Sequence, residues 1–338
     1  MNLYAKIVSL VVSMSMLALV FVGCASAQQE DGLIVVSVSE VTRSVFYAPQ
    51  YVALTLGFFE DEGLQIDLIT SDGADRVMTS VLTGAADIGL SGPEAAIYVY
   101  NEGRQDFAVV FAQLTQRDGS FLLARNPHPD FEWGDLYGAH ILPGRRGGVP
   151  YMALSYVVRA AGLTPGVDVE FDSSVQFAAM TGAFLSGVGD FVTVFEPTAS
   201  TIELEGRGYI VASVGAAAGE IPFTAYYALE SFIKQNPDII QGFTNALTRG
   251  QLWVAAHSPE EIAEVISPFF PEADPYIMAR AIANYKQIDA FAPTPIMGEE
   301  GFYRLQRVME QAGELSAEVP FGRLVDNSHA LQAVESLG

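Results

Sequence analysis

Cysteine and histidine are scarce in this sequence. Its one cysteine, Cys24, stands among 338 residues, so a disulfide within the chain and a metal site built from cysteines are both excluded. The four histidines, at positions 128, 140, 257 and 329, have no partner at the spacing of a metal site or a catalytic pair. Serine-hydrolase and nucleotide-binding motifs are missing as well. The sequence therefore favours a protein that is not an enzyme, and we expect neither a cofactor nor a metal.

Basic residues are also few. Lysine and arginine number 17 against 40 aspartates and glutamates, which gives a net charge of −23. A protein that binds nucleic acid needs a basic surface to displace counterions from the phosphates, so we expect no nucleic-acid partner. The acidic residues are spread along the chain without a block of like charges, and their mutual repulsion favours a soluble monomer.

Long apolar runs occur only near the start. Residues 1–6 include one lysine, and residues 7–22 are apolar apart from three serines. This run is shorter than the about 20 residues that a membrane-spanning helix needs. Residues 1–23 are therefore predicted to be a signal peptide, and no later segment is predicted to cross a membrane.

Two cleavage sites compete after that run. Phe21-Val22-Gly23-Cys24 is similar to the lipobox of bacterial lipoproteins, in which the cysteine is lipidated and becomes the first mature residue. Ala25-Ser26-Ala27 instead satisfies the small-x-small rule for ordinary cleavage before Gln28. We favour lipidation at Cys24, because this cysteine directly follows the apolar run, and residues 24–32 would then be a tether.

Strands and helices alternate in two stretches. Residues 33–91 and residues 139–195 each have a βαβαβ pattern, which predicts two α/β lobes. The chain is predicted to cross between them near 115–120 and 219–224, so that residues 33–120 and 225–338 form lobe 1 and residues 121–224 form lobe 2. Loops at the carboxyl ends of such strands face a crevice where ligands bind.

An internal similarity supports two related lobes. Leu82-Thr83-Gly84-Ala85-Ala86-Asp87-Ile88 is matched by Leu185-Ser186-Gly187-Val188-Gly189-Asp190-Phe191, and each copy leads through a strand to a proline and glutamate pair. The alternative is that both copies follow a pattern common to α/β proteins, in which a glycine ends the helix and an aspartate begins the next strand.

The candidate site residues follow the predicted strands. Small-molecule pockets are mostly apolar and aromatic with a few placed polar groups. The residues that fit this description are Phe46, Tyr47, Asp72, Gly92, Glu94, Asp118, Gly147, Gly148, Phe177, Phe195, Glu196 and Tyr226. We favour Tyr47, Phe177 and Phe195 as stacking surfaces.

Glu94 and Glu196 allow two interpretations. An acidic residue in the first turn of a helix offsets the helix dipole, which is worth about 0.3 to 1 kcal/mol. The functional alternative is that these carboxylates accept hydrogen bonds from the amino or ring N–H groups of a heterocycle, with help from Asp72 and Asp118. An anion would instead use Arg43, Arg145 or Arg146 with the Gly147-Gly148 amides.

One set of motifs is similar to those of a known protein superfamily. Residues 46–50 (FYAPQ), Gly57-Phe58-Phe59, Glu62-Gly63-Leu64, and Gly84 followed by residues 86–89 (ADIG) stand in an order and spacing typical of one superfamily. The chain resembles the bacterial type II substrate-binding proteins, which include the pyrimidine thiamine-precursor binders and the sulfonate and taurine binders.

This resemblance implies a two-lobed α/β fold of the periplasmic-binding-protein type II class, with the C-terminal helices packed on lobe 1. It implies an extracytoplasmic component of an ABC importer that closes on a small ligand and works with a permease and its ATPase. An aminopyrimidine-like ligand is expected first and a sulfonate, taurine or other small anion second. A pyrimidine-metabolising enzyme or a sensor is less favoured. The cysteine-rich iron motif of the related eukaryotic thiamine-pyrimidine synthases is missing.

Overall fold

Two mixed β-sheets organise the chain. A computed structural model describes residues 29–30 and 32–337. In chain order the strands are β1 (Gln29–Glu30), β2 (Leu33–Glu40), β3 (Leu64–Thr70), β4 (Ile88–Ser91), β5 (Ala108–Thr115), β6 (Ser120–Ala124), β7 (His140–Leu142), β8 (Glu170–Phe171), β9 (Phe191–Phe195), β10 (Tyr209–Ser213) and β11 (Thr224–Leu229).

The two sheets share one arrangement. The first runs β3-β2-β4-β11-β5, with β1 also pairing β2, and the second runs β8-β7-β9-β6-β10. In each sheet three parallel strands come from a βαβαβ unit, and the next strand is antiparallel. In each sheet the chain reaches this antiparallel strand, β11 or β6, directly after it has left the other sheet. The predicted two-lobed α/β fold is confirmed.

Helices flank both sheets. They are α1 (Ala48–Thr55), α2 (Phe58–Asp61), α3 (Ala74–Thr83), α4 (Glu94–Asn101), α5 (Val149–Ala160), α6 (Phe177–Leu185), α7 (Thr198–Leu204), α8 (Val214–Ala218), α9 (Glu230–Gln235), α10 (Pro237–Ala256), α11 (Pro259–Ile266), α12 (Pro275–Gln287), α13 (Glu299–Gln311), α14 (Phe321–Leu324) and α15 (Ser328–Leu337). None of these described helices is long and apolar enough to span a membrane.

Local chemistry explains most of these boundaries. Gly84 ends α3 with φ +73°, a left-handed conformation that glycine adopts without steric cost. Helix α8 begins at Val214, directly after the last residue of β10. The Ser213 side chain accepts a hydrogen bond from the backbone N–H of Ala216 at 3.1 Å, and this cap turns the chain into a helix.

The internal similarity has a structural counterpart. Asp87 lies just before β4, and its Oδ2 accepts a hydrogen bond from the backbone N–H of Ser37 at 2.8 Å. Asp190 lies just before β9, and its Oδ2 accepts one from His140 N–H at 2.9 Å. Both aspartates therefore tie the third strand of a βαβαβ unit to its first strand.

The C-terminal helices contact both lobes. Helix α10 packs on α1, as expected, but α12 packs against both α7 and a 3₁₀ turn over Val45–Tyr47, and α13 packs on α5. The C-terminal helices therefore contact lobe 2 as well as lobe 1, on which the resemblance places them. A loop after strand β2, the end of β9 and helix α12 consequently meet.

Candidate functional site

Aromatic rings from both lobes meet where the lobes face each other. The Phe46 ring centroid lies 4.5 Å from that of Tyr285, 5.6 Å from Phe223 and 6.4 Å from Phe195. Tyr47 stacks on Phe46 at 6.2 Å. The structure thus brings together Phe46, Tyr47 and Phe195, all proposed from their positions after strands.

A buried glutamate holds the turn that carries Phe46 and Tyr47. Glu40, the last residue of β2, is fully buried. Its Oε2 accepts hydrogen bonds from the Tyr51 hydroxyl at 2.7 Å and the Gln50 amide at 3.0 Å, and its Oε1 pairs with Arg43 Nε at 2.9 Å. Burial raises the pKa of Glu40, and these partners counteract the rise. Sequence reasoning missed Glu40, although a charge at the end of an apolar strand was a usable signal.

Glu94 lies at the first position of α4, against Gly92. The residue is 6% exposed, and its Oε2 has no hydrogen-bond partner in the described chain. A Cβ at position 92 would stand 1.9 Å from this oxygen, so the carboxylate occupies its present position only because residue 92 has no side chain. A buried acceptor without a partner costs about 1 to 3 kcal/mol, and Glu94 therefore needs an explanation outside the fold.

The surroundings of Glu94 bring its pKa close to neutral pH. Burial raises the pKa of Glu94 to about 7, and its own backbone N–H and the Arg145 guanidinium limit the rise. Burial also raises the pKa values of the Tyr47 and Tyr98 hydroxyls, and the Glu94 charge adds to both. The carboxylate therefore faces neutral hydroxyls on lobe 1 and one cation on lobe 2. A hydrogen-bond donor placed beside it would favour the ionised form.

Glu196 is buried as deeply but is fully engaged. Its Oε2 accepts from Ser200 N–H at 3.0 Å, and its Oε1 accepts from Ser200 Oγ at 2.9 Å and from Asn284 Nδ2 at 2.5 Å. Its own N–H donates to the Tyr285 hydroxyl at 3.1 Å. Glu196 thus bonds the first turn of α7 and joins it to α12. Tyr285 and Asn284 were missed because α12 had only an amphipathic pattern.

Asp118 lies between β5 and β6, where the chain passes from one sheet to the other. It is fully buried, and its Oδ1 accepts from Ser120 N–H at 2.6 Å and from the Ser120 hydroxyl. Its Oδ2 has no partner in the described chain. Burial raises the pKa of Asp118 to about 6, and the Ser120 hydrogen bonds oppose this.

The glycine segment before α5 touches the other lobe. The Tyr98 hydroxyl donates to the Gly147 carbonyl at 3.2 Å, and a Cβ on Gly147 would lie 3.6 Å from a Glu314 carboxylate oxygen. Gly148 is the N-cap residue of α5. A carboxylate beside this segment opposes its use as an anion cradle.

The three arginines of the anion alternative differ. Arg43 pairs with Glu40 and lies over the Phe269 ring at 5.3 Å, so its charge is already used. Arg145 and Arg146 are exposed, and neither guanidinium makes a hydrogen bond or ion pair in the described chain.

Some proposed residues lie apart from these groups. The Tyr226 ring packs 5.0 Å from Phe243 in the core of the first lobe, and its hydroxyl donates to Gln50 at 2.8 Å. Asp72 is exposed in the turn after β3 with φ +56°. The side chain of Phe177 lies outside the described part, and so do Cys24 and the predicted signal peptide.

Tyr227, the neighbour of Tyr226, points from the opposite face of β11. Its hydroxyl hydrogen-bonds Ser91 Oγ at 2.7 Å. Burial raises the pKa of Tyr227, and the Glu94 charge adds to the rise. Residues of both lobes pack around these groups. A hollow of about 550 Å³ lies elsewhere, between α11 and α12, and none of these side chains lines it.

The described residues offer few groups arranged for catalysis. They contain no group of three or more histidine, cysteine, aspartate or glutamate side chains able to hold a metal. Each histidine has a separate local partner, as in the contacts of His128 with Asp135 and of His140 with Asp172. The site offers hydrogen-bond acceptors and aromatic faces between two lobes.

Comparisons with known proteins agree with this architecture. A putative binding protein, YtlA, of Bacillus subtilis strain 168 is 41% identical over 306 residues, which cover 90% of this chain and 92% of that protein. The riboflavin-binding protein RibY of Chloroflexus aurantiacus is 28% identical over 239 residues, which cover 68% of this chain and 64% of that protein.

A solved structure shares the fold at low identity. The alkanesulfonate-binding protein SsuA from Xanthomonas axonopodis pv. citri, bound to MOPS, superposes with a TM-score of 0.70 at 14% identity, over 87% of this chain and 98% of that one. The family model described as NMT1/THI5 like matches residues 45–262. The chain therefore belongs to the NMT1/THI5-like family and has the two-lobed fold of the type II periplasmic binding proteins.

Proposed function

We propose that this protein is the extracytoplasmic solute-binding component of an ABC importer and binds an amino-substituted heterocycle of the aminopyrimidine type. The observation that carries the proposal is the Glu94 carboxylate, buried between the lobes with an oxygen that no described residue satisfies. An amino or ring N–H group of a ligand would supply the missing donor. The aromatic rings of Tyr47 and Phe195 would stack on its ring.

Closure gives this site its selectivity. The ligand contacts both lobes only when they are closed, so its binding shifts the population toward the closed form. The moving units in this proposal are residues 33–120 with 225–338, and residues 121–224. The interlobe hydrogen bond from Tyr98 to Gly147 belongs to the closed form and has to break when the ligand enters.

The remaining parts of the proposal concern partners and location. The closed form docks on a membrane permease driven by an ATPase, and a lipid at Cys24 keeps the protein at the outer face of the cytoplasmic membrane. The ligand leaves unchanged, because acceptors and rings can hold it but no described group is arranged to activate it. Mass spectrometry of the mature N-terminus tests the anchor, and an unmodified Gln28 would reject it.

A small anion is the second candidate. Two features support it: the exposed guanidinium groups of Arg145 and Arg146, and the fold shared with an alkanesulfonate-binding protein. The Glu314 carboxylate near Gly147 and the net charge of −23 oppose it. The aminopyrimidine class therefore ranks first.

The deciding experiment is calorimetric titration at pH 8 with 4-aminopyrimidine, taurine and nitrate. We expect 4-aminopyrimidine to bind and the Glu94→Gln variant to lose at least about tenfold in affinity, which is about 1.4 kcal/mol. Glu102→Gln is the matched control, because Glu102 follows the same helix and is exposed. Binding of taurine or nitrate alone, with Glu94→Gln unaffected, would establish the anion instead.

A further inference from the structure

We propose that Asp118 is a second polar anchor of the same site, so that the preferred ligand is a heterocycle with two separate N–H donor groups. This inference rests on the proposed function and deepens it. The observation that carries it is the Oδ2 oxygen of Asp118, which is fully buried in the segment joining the two sheets and lacks a partner in the described chain.

A second turn of the same kind shows what local structure explains. Asp172 Oδ1 accepts from Ser174 N–H at 2.9 Å and from the Ser174 hydroxyl, just as Asp118 Oδ1 accepts from Ser120. At Asp172 the other oxygen lies 3.3 Å from His140 Nε2 and the side chain is 22% exposed. The aspartate turn therefore accounts for Oδ1 in both places. It leaves Oδ2 of Asp118 unexplained.

Burial sharpens the contrast between the two aspartates. The hydrogen bonds of Asp172 lower the pKa of that carboxyl, whereas burial raises the pKa of Asp118. The two turns share their Oδ1 hydrogen bonds, but only Asp118 is fully buried. The backbone also encloses Asp118 closely, because a Cβ on Gly215 would lie 2.0 Å from the Asp118 carbonyl oxygen.

Asp118 and Glu94 border the same group of rings. Burial raises the pKa of Tyr285, and the charges of Glu196 and Asp118 add to this. The Glu94 charge acts on Tyr47 in the same way. The Tyr285 ring lies tilted beside Phe46 with the centroids 4.5 Å apart, and the Tyr47 ring stacks on Phe46 at 6.2 Å. A Cβ on Gly119 would lie 2.6 Å from a Phe46 ring atom.

In this proposal the two acceptors therefore belong to one group of aromatic rings. A planar ring stacked there with a donor at each end would satisfy both oxygens at once, whereas a ring with one donor would satisfy only one. Leaving a buried polar group unpaired is what allows a site to discriminate strongly against an analogue that lacks a donor.

The test compares 2,4-diaminopyrimidine with 4-aminopyrimidine by calorimetry at pH 8. We expect wild-type protein to bind the diamine at least about tenfold more tightly. The Asp118→Asn variant should lose this preference while keeping its affinity for the monoamine within about threefold. Asp172→Asn, which changes the matched turn, should behave as wild type.

The possible failures are distinguishable. If neither amine binds, or if Glu94→Gln changes neither affinity, the proposed function fails and this inference fails with it. If Glu94→Gln weakens both amines but the diamine has no advantage, or keeps it in Asp118→Asn, only the role of Asp118 is overturned.

A measurement on wild-type protein covers the case in which Asp118→Asn does not fold. Carbon-13 spectra of protein labelled at the aspartate carboxyls should show one buried resonance that moves when the diamine is added and stays when the monoamine is added. A spectrum in which the diamine moves no aspartate carboxyl overturns the inference.

Discussion

Glu94 and Glu196 follow equivalent strands but differ in their hydrogen bonding. Glu94 follows β4 and keeps an unsatisfied oxygen, whereas Glu196 follows β9 and bonds Ser200 and Asn284 through both oxygens. The sequences differ in order, since Pro93 precedes Glu94 and Pro197 follows Glu196. This two-position offset places Glu94 at the first residue of α4 and Glu196 two residues before α7. A side chain that stabilises the fold in one lobe is thus left available in the other.

The largest expected effect is on stability at alkaline pH. The pKa of Glu94 is raised from 4.5 to about 7, so the folded state binds more protons than the unfolded state between these values. The resulting destabilisation is complete above pH 7 and disappears as the pH falls below 4.5. Glu94→Gln should therefore raise the free energy of unfolding by about 3 kcal/mol at pH 8.

Urea denaturation of both proteins at pH 8 and pH 5 checks this prediction. The gap should shrink to below about 1 kcal/mol at pH 5, because Glu94 is then protonated in the folded state. A variant less stable than wild type at pH 8 would mean that the carboxylate has a stabilising partner.

The opposite sign is expected in lobe 2. Glu196→Ala removes acceptors from Ser200 N–H and from the Asn284 amide, and hydrogen bonds to a charged group are each worth about 1.5 to 3 kcal/mol. We expect a net loss of about 2 kcal/mol in the free energy of unfolding by urea titration, because removing a buried charge offsets part of the lost hydrogen bonds. Equal stability of variant and wild type would contradict the assignment of Glu196 as a structural residue.

A smaller effect tests how Glu94 is placed. Gly92→Ala puts a Cβ 1.9 Å from the present position of Glu94 Oε2, so the carboxylate has to move. We expect a loss of about 1 to 2 kcal/mol in stability and several-fold weaker binding of 4-aminopyrimidine. Gly134→Ala is the control, because nothing lies within 4 Å of a Cβ at that position.

The smallest effect concerns closure. Tyr98→Phe removes the hydroxyl that donates to Gly147 across the lobes, a contact worth about 1 kcal/mol in the closed form. Ligand affinity should fall about fivefold, mainly through faster dissociation in stopped-flow measurements. An unchanged dissociation rate would mean that this hydrogen bond also exists in the open form.

Much of this architecture was predictable from local signals. The alternation of strands and helices in residues 33–91 and 139–195 predicted two α/β lobes, and both βαβαβ units are present. Position after a strand also selected Phe46, Tyr47 and Phe195, whose rings lie near one another, and their role in binding stays a prediction. These signals involve neighbours in sequence, where periodicity and turn chemistry are informative.

The rest depended on distant contacts. Side chains alternate across a strand, so the sequence alone did not show that Tyr226 packs in the core of the first lobe while Tyr227 bonds Ser91. Tyr285 and Asn284 reach Glu196 from a helix almost 90 residues away in sequence. No local pattern distinguishes Glu94 from Glu196, because the difference lies in which partners the fold brings to each.

A crystal structure of the protein with 4-aminopyrimidine tests the central claim most directly. The account predicts the ring between Tyr47 and Phe195, with an amino or ring nitrogen within about 3 Å of Glu94 Oε2. A ligand held by Arg145 and the glycine amides, with Glu94 still unpaired, would contradict it.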